Sequence, residues 1–426
     1  MTSEVIVMNK NGIALAADSA ATLFPQRQTF YSHNKIFSLS KNFPVGIMIH
    51  EKLRINGIPW ETIIKMYRQA HNKCGFDRLE EYMEHIVSFL TNSNTIFNQD
   101  NRELYWVCDV LNYMERLGAE IEQAWHHTLR RMHHNHAGIS LRRFGREFIQ
   151  ARIDYLRTCP DIPDFSENIR PHLKAALDTF DIGRLEKSFN LYPLAQLEWA
   201  QIKELISLLT LKNDFSLGHS VVVLAGFGEE DIFPVTVTAR MGGYYFGTIK
   251  SEIEHAHKIS SHNQAQIIPY ASTDTVSSFL KGVHPNYEAF SLTETYTMID
   301  RILNDFMQYL NFTPKPDDKR FIHDLTEEYF KTYKHRLTNH ILHDHIEPVI
   351  ESIRFVPKNN LATVAESLVH VTSFRTSVQP DTLPVGGEID VALISKGDGF
   401  IWMKRKNYFD AAENQDYLNR NITLQR

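Results

Sequence analysis

The sequence predicts an α+β protein in which antiparallel strands alternate with blocks of helix. Two short apolar runs separated by Asn11-Gly12 open the chain. Apolar residues three and four apart then dominate from about Cys74 to Phe215, and Val- and Leu-rich runs with turn residues return after His219. Side chains alternate faces along a strand and recur every three to four residues on a helix. The pattern therefore predicts strands, then helices, then strands again.

Size and charge restrict the class of protein. A chain of 426 residues has room for two or three domains, or for one elaborated domain. A net charge of −6 gives no reason to expect nucleic acid or an anionic membrane as a partner. Three cysteines without a CxxC pair fit a reducing cytoplasm better than a disulfide scaffold. With no run that could cross a bilayer and no basic N-terminal region, we expect a cytoplasmic protein.

The first two strands form a hairpin that brings two functional groups together. Val5 to Met8 and Ile13 to Ala17 are apolar runs, and Asn11-Gly12 supplies residues that tolerate positive φ at a hairpin corner. The ribbon returns Asp18, at its far end, to Thr2, at its open start. Removal of the initiator methionine would give Thr2 a free α-amine. That amine, with a reference pKa near ~8, can accept the proton of the Thr2 hydroxyl.

This hairpin resembles the start of proteasome β-type subunits and their bacterial relatives, the threonine N-terminal-nucleophile (Ntn) hydrolases. That family has a Thr, a strand, a Gly turn, a strand ending Ala-Ala-Asp-Ser and a Lys on the next strand. Thr2, Gly12, Ala16-Ala17-Asp18-Ser19 and Lys35 occupy these places, with an insertion before Lys35. The resemblance implies a four-layer αββα sandwich, two antiparallel sheets faced by helices. The alternative is an ordinary hairpin whose Met-Thr start is accidental.

The resemblance also implies a division of the chain. The Ntn core would comprise residues 1–72, 217–290 and, with the tail, 358–426. A helical insertion would occupy 73–216 and a helical extension 291–357, neither with a counterpart in a compact proteasome subunit. Within the insertion, apolar periodicity predicts helices over 79–90, 104–132, 141–156, 169–180 and 194–209.

Other positions match the family's catalytic pattern less regularly. Ser272, where a predicted strand meets a helix, takes the place of a Ser that bonds the threonine α-amine, and helix capping is its alternative role. Gly386-Gly387 matches a Ser-Gly-Gly motif, but Val385 replaces the Ser. Asp381 lies one residue too far upstream for a gapless match to the family's Asp. His50, in a predicted turn, replaces a Gly-rich turn whose N–H helps to bind the oxyanion.

The resemblance implies amide hydrolysis through an acyl-enzyme. Thr2 Oγ would attack the carbonyl while the α-amine of Thr2 takes the proton and returns it to the leaving amine. Lys35 would lower the pKa of both Thr2 groups, and Asp18 would orient Lys35. The backbone N–H near His50 would hold the oxyanion. A purely structural ion pair is the alternative for Lys35 and Asp18, and no metal or organic cofactor is required.

Histidines crowd two predicted helical regions. Their spacing would allow pairs of metal ligands, but neither group has a defined set of three ligands. We therefore expect solvated helix faces rather than metal sites. The two groups are His126, His127, His133, His134 and His136, and then His335, His340, His343 and His345.

The leading prediction is a threonine-type endopeptidase that cleaves peptides or unfolded proteins. As the resemblance implies, we expect a homo-oligomer, with a ring as one form and an unfoldase as a candidate partner. Two alternatives stay open: an amidase acting on a small non-peptide amide, and a catalytically inactive proteasome-like interaction protein. His50, Val385 and the shifted Asp381 favour the inactive protein, whereas the N-terminal Thr, Asp and Lys oppose it.

Overall fold

The computed structural model describes residues 3–23, 28–30, 33–93, 96–97, 102–131, 140–181, 183–186, 196–378 and 386–406. The strands are β1 Ser3–Asn9, β2 Gly12–Ala17, β3 Ala21–Leu23, β4 Gln28–Phe30, β5 Ile36–Ser38, β6 Val45–Glu51, β7 Arg54–Ile55, β8 Ile58–Pro59, β9 Ser220–Gly226, β10 Val235–Tyr245, β11 Thr248–Lys258, β12 Ala265–Ala271, β13 Asp390–Ser395 and β14 Gly399–Lys404.

The helices are α1 Trp60–His71, α2 Leu79–Asn92, α3 Arg102–Arg131, α4 Leu141–Thr158, α5 Pro163–Thr179, α6 Gly183–Glu186, α7 Gln196–Leu211, α8 Thr273–Lys281, α9 Pro285–Tyr309, α10 Pro316–Ile341, α11 Glu347–Arg354 and α12 Lys358–Val378. These elements confirm a mixed α+β protein with antiparallel sheets. The chain divides into two units, one of Met1–Ile36 with Lys258–Arg426 and the other of Phe37–His257. None of the described helices is both long and apolar enough to cross a membrane.

The first unit is built on a five-stranded sheet in the order β12-β1-β2-β13-β14. Each neighbouring pair in this sheet is antiparallel. Alternate residues of β1 and β2 pack against the apolar side of α12, as the period of two requires. The cluster includes Val5, Val7, Ala14, Ala16, Leu361, Ala365 and Val369, all buried.

The turn of the first hairpin differs from the expectation by one residue. Asn9 pairs with Gly12, so Lys10 and Asn11 form the loop and Gly12 begins β2. A Cβ at Gly12 would lie 2.8 Å from the carbonyl oxygen of Ile394 in β13. Glycine is therefore required there by the close approach of a neighbouring strand, and not by a corner conformation.

The second unit contains a five-stranded sheet in the order β11-β10-β9-β6-β5, with α1 and α2 packed on it. The Gly242-Gly243 pair, which by its composition would predict a turn, does not form one, because β10 runs through both glycines to Tyr245. The chain turns at Phe246 and Gly247 instead, which have φ of 50° and 98°. A Cβ at Gly243 would overlap the buried ring of Tyr245, so this glycine makes room for the ring.

The predicted helical block forms a hydrophobic cluster of its own within the second unit. Trp106 of α3 is fully buried, and its Nε1 donates to Thr210 Oγ1 of α7 over 3.1 Å. The helix expected from Ile169 begins earlier, at Pro163, because a proline fits the first turn of a helix where no N–H is needed. The block therefore has the core that its apolar periodicity predicts.

The C-terminal helices begin earlier than expected and are more divided. The helical extension expected from residue 291 starts with α9 at Pro285, so the expected boundary at residues 290 and 291 lies within α9. The rest of the extension is not one continuous helix but comprises α10, a π-helical segment Leu342–Ile346 and α11. Pro348, within the first turn of α11, has no N–H for a helical bond, which explains the irregular segment just before it.

Lys250 is a buried lysine on β11 of the second unit. Its Nζ donates to the carbonyl oxygens of Leu209 over 2.8 Å and Asp214 over 2.6 Å. Leu209 lies in the last turn of α7, so the lysine caps carbonyls that the helix leaves without partners. Burial lowers the pKa of Lys250 from 10.5 to about 7, against a smaller opposing effect of the Asp214 carboxylate.

The free energy of unfolding should therefore rise with pH between about 7 and about 10.5. In that window the unfolded chain binds a proton at Lys250 that the folded chain has lost, so stability increases by up to about 1.4 kcal/mol per pH unit. Urea unfolding of the wild type and of Lys250→Met at several pH values measures this slope. Lys73→Met, at an exposed position, is the control and should keep the wild-type slope. Equal slopes for the wild type and Lys250→Met would contradict the assignment.

Candidate active site

A lysine buried between two carboxylates lies at the open end of the first hairpin. Lys35 Nζ is 2.5 Å from Asp18 Oδ1 and 3.1 Å from Glu4 Oε1. All three side chains are at most 1% exposed. An isolated buried ion costs several kcal/mol, so an arrangement of this kind persists only when its partners are held in place. We call Glu4, Asp18 and Lys35 the buried triad.

Backbone donors fix the carboxylate of Asp18 from two sides. The Ser3 N–H donates to Oδ1 over 3.0 Å, and the Gly386 N–H donates to Oδ2 over 2.9 Å. The Asp18 N–H in turn donates to the Ser3 carbonyl over 3.1 Å, which closes the hairpin beyond its last strand pair. Next to it, Ser19 Oγ donates to the carbonyl of Glu388. The structure thus brings Asp18, Lys35 and the Gly386-Gly387 segment together.

Ser272 reaches the same sheet end through the register of β1 and β12. Ser3 pairs with Ala271, the residue directly before Ser272. Ala271 has a φ of 59°, an unfavourable conformation for a residue with a Cβ, and such strain is typical of functional sites. Ser272 occupies the N-cap position of α8, but its side chain makes no capping hydrogen bond. The capping alternative for its hydroxyl is therefore not realised.

A second buried ion pair lies beside the triad and was not expected from the sequence. Asp390, the first residue of β13, pairs in register with Ala17 of β2. Its Oδ2 lies 2.6 Å from Lys406 Nζ, and both side chains are largely buried. Lys406 Nζ also donates to the His33 carbonyl over 2.7 Å. This pair ties the chain after β14 to the segment that carries Lys35.

His50 does not lie in a turn, as the sequence suggested, but within β6 of the second unit. It pairs in register with Val221 of β9, and its side chain is buried. The strand continues to Glu51, whose φ of 65° ends it. Pairing with the apolar β9 extends the strand beyond its apolar run, which explains the difference.

Thr2, Asp381 and Val385 lie outside the described residues. The nearest described atom to Thr2 in the chain is the Ser3 nitrogen, which shares a peptide bond with the carbonyl carbon of residue 2. Because that nitrogen donates to Asp18, the triad is fixed next to the peptide bond that follows Thr2.

Sequence reasoning missed Glu4, Asp390 and Lys406 as members of this site. Glu4 and Asp390 have a signal in the sequence, since a charged residue inside or at the end of an apolar strand is buried only with a partner. Lys406 has no such signal, because it follows β14 in a run of basic residues. The sequence does not say which partner, because that depends on strands far apart in the chain.

The histidine groups show no metal site in the part of the chain that the structure describes. His126 and His127 are exposed on α3, and His133, His134 and His136 lie outside the described residues. In the second group, His340 pairs with Asp344 and His343 Nδ1 lies 2.7 Å from Glu347 Oε2. That hydrogen bond to Glu347 raises the pKa of His343. These contacts are typical of solvated helix faces.

Replacing Lys35 should strongly reduce the stability of the folded protein. Lys35→Met leaves two buried carboxylates without this cation and should lower the free energy of unfolding by about 3–5 kcal/mol. Lys65→Met is the control, since Lys65 pairs with Glu61 over 2.7 Å at an exposed position and should change stability by about 0.5 kcal/mol at most. Adding Glu4→Gln and Asp18→Asn to Lys35→Met should recover part of the loss. Equal losses for the two lysine variants, measured by urea unfolding, would contradict a coupled buried triad.

Comparisons with known proteins give no independent assignment of this site. No family model matches the chain, and no match is found among curated proteins. A function must therefore be argued from the residues and their geometry.

Proposed function

We propose that this protein is a threonine-type hydrolase of amide bonds, with Thr2 as its N-terminal nucleophile once Met1 is removed. The observation that carries the proposal is the buried Lys35–Asp18 pair, held against the N–H of the residue that follows Thr2. A threonine that uses its own α-amine as the base needs no separate histidine. It does need a nearby cation that keeps this amine neutral and rigid donors that stabilise the transition state.

Three further contacts support this proposal. Ser272 directly follows Ala271, the residue that pairs with Ser3, so the same antiparallel register, if continued, would bring Ser272 opposite residue 2. Gly386 donates to Asp18, which ties the Gly-Gly segment to the same site. Glu4, two residues after Thr2 in the sequence, adds a second carboxylate on Lys35.

In the proposed reaction, Thr2 Oγ attacks the carbonyl carbon of a peptide bond while the α-amine of Thr2 accepts the hydroxyl proton. The proton passes to the leaving amine as the C–N bond breaks, which leaves an ester on Thr2. Water, activated by the same amine, hydrolyses the ester. Lys35 favours the neutral amine because one cation disfavours a second nearby.

The same proposal includes the finer features that the resemblance implies. These are the four-layer αββα arrangement, an oxyanion contact from the backbone near His50, a role for Asp381, and unfolded protein or peptide as substrate. An amidase of small non-peptide substrates would use the same groups. A catalytically inactive protein is the third candidate, favoured by the histidine and valine at positions 50 and 385.

Intact mass before and after treatment with a peptide epoxyketone or a β-lactone tests the nucleophile. We expect the wild type to begin at Thr2 and to gain one adduct, because both probes react with an N-terminal threonine. Thr2→Ala should gain none. Thr332→Ala, at an exposed helical threonine, is the control and should react like the wild type.

Retention of Met1 with no adduct would refute the proposal, because Thr2 would have no base. An adduct that persists in Thr2→Ala would also refute it, since another residue would be the nucleophile. Cleavage of unfolded protein, compared with that of small amides only, would then separate the peptidase from the amidase.

Glu4 offers a test of the electrostatic part of the proposal. Glu4→Gln removes a negative charge that favours the ammonium form of the Thr2 amine, so the amine should lose its proton at lower pH. On the acidic side of the pH profile, the pH at which β-lactone adduct formation reaches half of its maximal rate should fall by about one unit. Glu328→Gln, exposed on α10, should leave the profile unchanged. An unchanged profile in Glu4→Gln would restrict Glu4 to a structural role.

A further inference from the structure

Helix α9 of the first unit exposes apolar side chains along one side. None of its residues is buried, although it is 25 residues long. Its other side faces α10, where the ring of Tyr296 lies 5.1 Å from that of Phe330 and its hydroxyl donates to Glu327 over 2.8 Å. Large apolar residues that are 56% to 83% exposed form what we call the α9 stripe: Tyr287, Phe290, Met298, Ile302, Phe306 and Tyr309.

The α9 stripe is large for a surface that meets only water. Side chains of this size carry roughly 150–250 Å² each, so six that are more than half exposed present on the order of 600 Å². The largest apolar patch of a monomer measures about 300–600 Å². A standard protein interface buries about 800 Å² on each partner. The stripe therefore has the size of the apolar centre of an interface.

The spacing of the stripe keeps it on one side of the helix over its whole length. With Glu294 included, successive positions from Tyr287 to Tyr309 are three or four residues apart. Met298 lies eleven residues from each end of the stripe. Eleven residues make close to three helical turns, so the two ends and the centre lie on the same side of the helix. Met298 is two residues after Tyr296, which rotates it by about 200° around the helix axis. Because Tyr296 faces α10, Met298 points away from α10.

The outer members of the stripe lie symmetrically about Met298, whereas Ile302 is matched by Glu294 at the equivalent position on the other side. Phe290 and Phe306 are each eight residues from it, and Tyr287 and Tyr309 are each eleven residues from it. In an antiparallel pair of identical helices, positions at equal distance from the centre lie at the same height along the pair. A two-fold axis at Met298 would thus bring phenylalanine level with phenylalanine and tyrosine level with tyrosine, as a self-complementary interface requires.

The same two-fold axis would bring opposite charges together beside the stripe. Glu294 precedes Met298 by four residues, and Arg301 follows it by three. In the antiparallel pair, the exposed Arg301 of one copy comes within one position of the exposed Glu294 of the other. Neither side chain forms an ion pair within the described residues, so both are available for such a contact.

We propose that α9 is a dimerisation element, in which the α9 stripe packs antiparallel against the α9 stripe of a second copy of this chain. Met298 lies on the two-fold axis, and Glu294 of each copy pairs with Arg301 of the other. This interface is independent of Thr2 and of the proposed hydrolase activity.

Sedimentation of the full chain and of its variants tests the interface. We expect the wild type to be dimeric, and Met298→Glu to weaken the dimer by about 30-fold or more, because two carboxylates would meet at the axis. Phe306→Glu should act in the same direction. Phe374→Glu, at an equally exposed apolar position of α12, is the control and should dimerise normally. Circular dichroism checks that each variant is folded.

A charge exchange tests the predicted register. Glu294→Arg and Arg301→Glu should each weaken the dimer, since each places like charges opposite one another. The double variant should restore it. Loss of dimerisation in the double variant as well would contradict the register.

Cross-linking tests the position of the axis. In a chain whose three cysteines are replaced by serine, Met298→Cys should form an interchain disulfide on mild oxidation, because the two thiols face each other. Tyr333→Cys on α10, also exposed, should not.

A monomeric wild type at micromolar concentration would overturn the proposal. So would an oligomer that Met298→Glu leaves intact, because another surface would then join the copies. A wild type that becomes dimeric only after removal of residues 407–426 would identify that segment as the occupant of the stripe and overturn the proposal as well. Vesicle binding without self-association would assign the stripe to a lipid surface instead.

Discussion

The burial of Lys35 between Glu4 and Asp18 is the constraint on which the first unit depends. Each of these groups would cost several kcal/mol if it were buried alone, so none can be buried until the others are in place. Glu4 comes from β1, Asp18 follows β2, and Lys35 lies beyond the short strands β3 and β4. The Gly386 N–H, from a segment more than 350 residues away, completes the coordination of Asp18. One electrostatic requirement therefore fixes several distant segments at one end of the sheet.

Stability alone is a weak reason for such an arrangement. Apolar side chains of similar volume are often equally stabilising in place of a buried ion pair, or more so. Lys250 shows the contrast within the same chain, because it donates to two backbone carbonyls at a helix end and has a structural explanation. The triad instead holds the N–H of Ser3, the residue that follows the proposed nucleophile in the chain. A cation there has a chemical use, which is why we connect the triad with hydrolysis.

The apolar residues of α9 are arranged on a different principle from those of the core. Core residues such as Val5 and Leu361 pack in alternation between a sheet and a helix of the same unit. The α9 stripe has the periodicity of a helix face but no partner within the described chain, and the symmetry of its outer members about Met298 suits a copy of itself. The proposed catalysis and the proposed self-association thus depend on separate elements of the first unit, and we expect each to be disrupted without the other.

The sequence by itself determined the kinds of element and their order. Apolar periodicity located most helices and strands within a few residues, and it placed Asp18 at the end of a hairpin that starts near Thr2. Only the tertiary structure decided that Glu4 and Gly386 join Lys35 and Asp18, that Asp390 pairs with Lys406, and that His50 belongs to a strand. It also decided why Gly12 is glycine, since the backbone of Ile394 comes too close for a side chain. Periodicity is a local property that each segment carries in its own residues, whereas ion pairs and close strand contacts join residues far apart in the chain.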